Sequence, residues 1–325
     1  MVFPFIPEGP PDSRGLYLCQ SPGLTSRVMP LFRFDPGDPG RRPEGHGTAF
    51  RIDSWSRCLT AYHVLENLFE LNEAAQLRLR PDIRIAALDV PALGYGQLRV
   101  PDGAWRPVVE CFTHGAVHTP PLREAELRNF CEMVVLRIRP REMPSDGTPW
   151  LPMRLSGWSP RIGETVMALG YADLDKADGA PENRAIEQRL WGSFGQITDI
   201  HYADPGSGRP WPQIRVDADW PGGMSGGPVF NDAGHVIGLV SAGFKGEGGA
   251  SATFFSGWDI PRQILGSLDP ASPGWFRCHA VFGGDGEPAF CGQDETEARK
   301  FAEKAGLNDI GTVSICLETG EFVRL

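Results

Sequence analysis

No stretch of the 325-residue sequence approaches 18 consecutive apolar residues, which excludes a membrane-spanning helix as a reading of the sequence. An excess of basic residues is also missing. The 31 Lys and Arg face 41 Asp and Glu, for a net charge of −10, the wrong sign for a nucleic-acid-binding surface. The opening MVFPFIPEGPPDSRG has neither a basic n-region nor an apolar core of signal-peptide length. The sequence contains no C-x2-C pair, and its seven cysteines, an odd number, form no evident disulfide framework. Free thiols in a cytoplasmic protein fit both facts. Cys278, His279, Cys291 and Cys316 offer poor zinc-ligand spacing, and no metal or cofactor is expected. No internal repeat of fixed period is visible.

Glycine and proline are plentiful, at 40 and 30 residues, and punctuate many short alternating segments. SRVMPLFRF (26–34) and HGTAFRI (46–52) read as a hairpin across the turn-rich DPGDPGRRPEG. SRCLTAYHV (56–64) reads as a strand up to Thr60, and residues 65–77 as a short helix. EMVVLRIRP, GETVMALGY, SFGQITDI, PQIRVDADW, GPVF and HVIGLVSAG continue the strand rhythm. The pattern predicts an all-β fold of the barrel or sandwich class. Residues 1–25 read as a surface arm and SLDPASPG (267–274) as a linker. Beyond the linker, residues 275–325 change character. Two strands, a helix over 294–306 with an acidic start and Gly306 as its stop, and a closing hairpin predict a small α+β domain.

The strongest chemical signal is Gly222-Gly223-Met224-Ser225-Gly226-Gly227-Pro228. A serine between glycines can sit on a tight turn with its hydroxyl exposed. The N–H groups of Gly223 and Ser225 can then converge on one oxygen as an oxyanion hole. The bland alternative is a glycine-rich turn with a chance serine. Thr60-Ala61-Tyr62-His63 places a histidine at the end of a hydrophobic strand, where it can serve as general base to Ser225; a lone histidine can equally be structural.

Taken in order, HGTAF, TAYHV, EMVVLRI, GMSGGPVF and GLVSAG resemble the trypsin/chymotrypsin superfamily, above all its bacterial intracellular and HtrA-like branches. The resemblance covers about residues 26–266 and leaves out the arm and the C-terminal region. It implies two packed Greek-key β-barrels, residues 26–145 carrying His63 and Glu132 and residues 146–266 carrying Ser225. It also implies a serine endopeptidase acting on protein or peptide substrates. Ser225 would be the nucleophile, His63 the general base, and Glu132 the acid that orients it. Glu132 stands where the family has aspartate. Its side chain is one methylene longer, so its backbone must stand further back. Met224 replaces the aspartate that, in secreted trypsins, pairs with a newly cut N-terminus, which implies activity without cleavage. Val64 stands where those trypsins have a cysteine.

Ser241, Ala242 and Gly243 match the segment whose backbone pairs with a substrate strand. Asp219 lies at the offset where trypsins place the acid that selects Arg or Lys, with Trp220 beside it. The long stretch between His63 and Glu132 implies a loop insertion around 66–125. Two other readings compete. An α/β-hydrolase also uses G-x-S-x-G, but it requires a helix after the serine and a later histidine; Gly-Gly-Pro follows Ser225, and His63 precedes it. The departure at Glu132 supports a catalytically silent pseudoprotease used as a binding module. An active protease inside a cell also implies a regulatory partner or a regulatory role for residues 275–325.

Overall fold

The structure, a computed structural model, describes residues 3–38, 40–52, 57–71, 77–90, 100–118, 126–139, 151–154, 158–174, 188–203, 210–241, 249–255, 275–284, 286–292, 295–316 and 322–325. After β1 (Leu16–Leu18), the chain builds a closed antiparallel barrel. Its strands are β2 (Val28–Phe34), β3 (Glu44–Arg51), β4 (Arg57–Ala61), β7 (Arg84–Leu88), β8 (Trp105–His118) and β9 (Glu126–Ile138). The order around the barrel is β2-β3-β4-β9-β8-β7, and β2 closes it by pairing with β7. Every residue of β4, RCLTA, is buried. Such a strand cannot show the polar–apolar alternation of a half-solvated sheet, because both of its faces are covered.

Within the region 66–125, where an insertion was expected, the described residues supply two barrel strands, β7 and β8. A short side hairpin, β5 (Phe69–Leu71) with β6 (Leu77–Leu79), is the part that stands apart. The helix expected over 65–77 is displaced. One α-turn at Tyr62–Leu65 and a 3-10 turn at Glu66–Leu68 come first, and Phe69 already starts a strand.

The second barrel uses β10 (Thr165–Gly170), β11 (Trp191–His201), β12 (Gln213–Val216), β13 (Pro228–Phe230), β14 (Val236–Val240) and β15 (Ala250–Phe254). They run in the order β11-β10-β13-β14-β15-β12, and the β11–β12 pairing closes the ring. This is the double barrel that the resemblance implied. The N-terminal arm does more than cross the surface. β1 pairs with the edge of β11, Leu16 is fully buried, and Phe5 packs on Gly192. Burying side chains of this size stabilises by about 1.5–3 kcal/mol each.

The C-terminal region forms its own sheet from β16 (Trp275–Phe282), β17 (Pro288–Gly292), β18 (Ile310–Cys316) and β19 (Phe322–Arg324), in the order β17-β16-β18-β19. A helix at Glu295–Ala305 packs on it through Ala298 and Ala302, and Phe301 stacks on Phe290 at 5.0 Å. Gly306 ends the helix with φ +66°. The Leu307 N–H donates to Ala302 O and the Gly306 N–H to Glu303 O, at 2.9 and 3.3 Å, a Schellman stop. The linker expected at 267–274 lies outside the described residues. His114 and His118 lie in β8 and His201 in β11; His235 precedes β14 in a turn.

Candidate active site

β4 ends at Ala61, still extended at ψ 144°, and the chain turns at once into Tyr62–Leu65. Tyr62, Val64 and Leu65 are buried there, which leaves His63 as the residue facing the cleft, its side chain 23% exposed. The Tyr62 ring stacks on Phe69. Burial, reinforced by the Glu66 and Glu132 carboxylates, pushes the Tyr62 hydroxyl up to about 12 and keeps it protonated.

Glu132 is buried, and its Oε1 lies 2.5 Å from His63 Nδ1. A carboxylate can only accept, so Nδ1 carries the proton and Nε2 is left as the basic nitrogen. Ser241 Oγ also donates to Oε1, at 3.2 Å, and Gln213 Nε2 donates to Ser241 Oγ at 3.1 Å. Glu132 is not a plain strand residue: its φ is +53°. Its neighbour Cys131 is fully buried. Burial raises the pKa of that thiol, and it faces Thr113, His114 O and Met133 O, in keeping with a core role.

Ser225 sits on two consecutive tight turns. The Met224 N–H donates to Pro221 O at 3.2 Å and the Gly227 N–H to Met224 O at 2.9 Å. The third residue of each turn has positive φ: Gly223 at +96° and Gly226 at +83°. Such turns favour glycine there because a Cβ would clash. Space enforces it further. A Cβ on Gly226 would lie 2.2 Å from Thr60 Oγ1, and one on Gly227 2.1 Å from Leu169 O.

Contacts between the barrels set the serine turn against the histidine turn. Gly226 abuts Thr60 and Ala61, just before His63. The Thr48 N–H donates to Ser225 O at 2.9 Å, Thr48 Oγ1 donates to Gly223 O at 2.7 Å, and the Tyr171 N–H donates to Thr48 Oγ1 at 3.0 Å. Among the described residues, the N–H groups of Gly223 and Ser225 donate to no protein group, and Ser225 Oγ is in no hydrogen bond.

A cavity of about 680 Å³ opens beside Ser225, with Ser241, Trp220, Val216 and Ala250 among its walls. Asp219 lines it but is exposed, as is Asp217, whose carboxylate accepts the Gln196 N–H. Met224 is fully buried in the second barrel's core and has no ionic role. Ala242 and Gly243 lie outside the described residues. Sequence reasoning missed Asn129, whose buried amide binds the backbone at Glu132. An asparagine three residues ahead of the acid is a turn signal, and Gly115, across the sheet, marks a close backbone approach.

Two closed barrels, with a serine on glycine turns and a histidine–carboxylate pair at their junction, define the class of the trypsin-like serine peptidases. The family model for the trypsin-like peptidase domain matches residues 47–239, more than half of the chain, and the chain belongs to that family. No curated protein matches it. Among solved structures it is similar to Deg5, with 17% identity, 71% of this chain and 84% of that one covered, and a TM-score of 0.41. It is similar to a Glu endopeptidase, with 10% identity, 76% and 94% covered, and a TM-score of 0.46. It is also similar to Rv3671c of M. tuberculosis H37Rv, with 16% identity, 77% and 91% covered, and a TM-score of 0.39. Among the described residues no helix is long and apolar enough to cross a membrane, and no group of His, Cys, Asp and Glu could hold a metal ion.

Proposed function

We propose that the protein is a serine endopeptidase working through Ser225, His63 and Glu132. The observation that carries this reading is the 2.5 Å contact between Glu132 Oε1 and His63 Nδ1, which fixes the imidazole tautomer. A substrate strand pairs with the backbone at 241–243. His63 Nε2 takes the Ser225 proton as Oγ attacks the scissile carbonyl carbon. The N–H groups of Gly223 and Ser225 hold the resulting oxyanion. His63 then gives its proton to the leaving amine, and the acyl-enzyme remains. Water, deprotonated by His63, attacks the ester and releases the acid product and Ser225. Asp219, in the cavity wall, is assigned a preference for Arg or Lys side chains. A cleavage profile dominated by small apolar residues would count against that preference.

The deciding experiment is labelling of purified, uncut full-length protein by a fluorophosphonate probe. Wild type should label without N-terminal cleavage, because Met224 leaves a new N-terminus no ionic partner. Ser225→Ala should abolish labelling, and Glu132→Ala should slow it by about 10³–10⁴-fold. That Ser225 Oγ is in no hydrogen bond among the described residues favours a second reading, a silent pseudoprotease used as a binding module. Folded wild-type protein that stays unlabelled, with or without its C-terminal region, would support that reading instead.

A further inference from the structure

β8 and β9 lose register beside the acid. Gly115 pairs with Asn129 and Thr113 with Val134, so five steps along β9 oppose two along β8. The surplus backbone bulges, and Glu132 lies inside the bulge in a left-handed conformation. A non-glycine residue holds such a conformation only where its surroundings over-determine it. Here the fixing group is one buried amide. Asn129 Oδ1 accepts the N–H of Cys131 at 3.0 Å and of Glu132 at 2.6 Å. Its Nδ2 donates to Thr113 Oγ1 at 2.6 Å and to His114 O at 3.1 Å. Both amide protons and the carbonyl oxygen are thus committed. Thr113 Oγ1 donates in turn to Met133 O at 2.5 Å, tying down the far end of the bulge.

In a regular strand the backbone at this position would continue the pleat. An acid one methylene longer than aspartate needs its backbone set back from the histidine, and the bulge is a way of setting it back. We propose that Asn129 is a positioning residue for the candidate acid: it holds the left-handed kink from which a glutamate, and not an aspartate, meets His63. This rests on the assignment of Glu132 to His63 made above.

Two readouts on full-length protein test it: the rate of fluorophosphonate labelling and the low-field NMR resonance of the His63 Nδ1–H, identified by its loss in His63→Ala. Asn129→Ala should slow labelling by about 10²-fold and move or abolish the resonance, while the protein still melts cooperatively. Glu132→Asp, which keeps the charge and the kink but shortens the reach, should also slow labelling by about 10²-fold. A merely structural Asn129 would lower the melting temperature and leave the rate and the resonance of the folded protein unchanged; that result overturns the proposal. Wild-type labelling by Glu132→Asp overturns it too, and decides the matter if Asn129→Ala does not fold. An unlabelled wild type that retains the resonance would sink the protease reading, while the resonance in the variants would still decide the role of Asn129.

Discussion

The two barrels present their halves of the site by opposite means. In the second, the left-handed positions of the two turns that carry Ser225 are glycines, Gly223 and Gly226, so the backbone adopts those turns without steric cost. In the first, the left-handed position is Glu132 itself, and a side-chain amide holds what glycine would have allowed freely. A turn that must only present backbone N–H groups can dispense with side chains. A turn that must deliver a carboxylate cannot. Where the group to be placed is the side chain of the kinked residue, the strain has to be carried by neighbours, here Asn129 and Thr113.

Substitutions can break this comparison, and the largest effect is expected at Gly226. In Gly226→Ala the new Cβ meets Thr60 Oγ1 at 2.2 Å and Thr48 O at 2.3 Å with φ at +83°. A loss of about 3–5 kcal/mol is expected from the left-handed penalty and the overpacking together, read from the denaturant midpoint. A shift below 1 kcal/mol would mean that the turn relaxes and is not sterically locked. Thr48→Val comes next. It strips a buried hydroxyl that bonds Gly223 O and the Tyr171 N–H, leaving both unpaired. A loss of about 2–3 kcal/mol should appear in the same measurement.

Glu132→Gly gives the first barrel the second barrel's solution. Relief of the left-handed strain, about 1–2 kcal/mol, opposes loss of the bonds to His63 and Ser241, which are worth about the same. Unfolding stability should therefore stay within about 1 kcal/mol of wild type while labelling collapses; a large loss of stability would show that Glu132 is not strained. The smallest effect belongs to Gly222→Ala, where nothing lies within 4 Å of the added Cβ. Its change should fall within about 0.5 kcal/mol. A larger change would show that the glycines beside Ser225 act through chain flexibility and not through space.

Much of this was legible in the sequence because it rests on local rules. The strands at 28–34 and 165–170 follow from short apolar runs bounded by turn residues, and Gly306 marks its helix stop by its freedom at positive φ. The serine turns were legible for the same reason, since glycine at fixed offsets is a backbone instruction written in residue type. The start of the helical turn at Tyr62 was not, because Tyr62–Leu65 is held by burial of its apolar side chains and not by a cap. The bulge at Glu132 escaped as well. EMVVLRI reads as a short apolar run like any buried strand, and its break in register exists only against β8.

The sequence by itself determined an all-β chain with a glycine-cradled serine and a histidine at a strand end, because propensity, punctuation and turn chemistry act between near neighbours; that its strands form two barrels was implied only by the family resemblance. Only the tertiary structure decided that the Glu132 carboxylate meets His63 and Ser241. That contact joins residues 69 and 109 positions apart, and it depends on a strand register and a buried amide that no local pattern encodes.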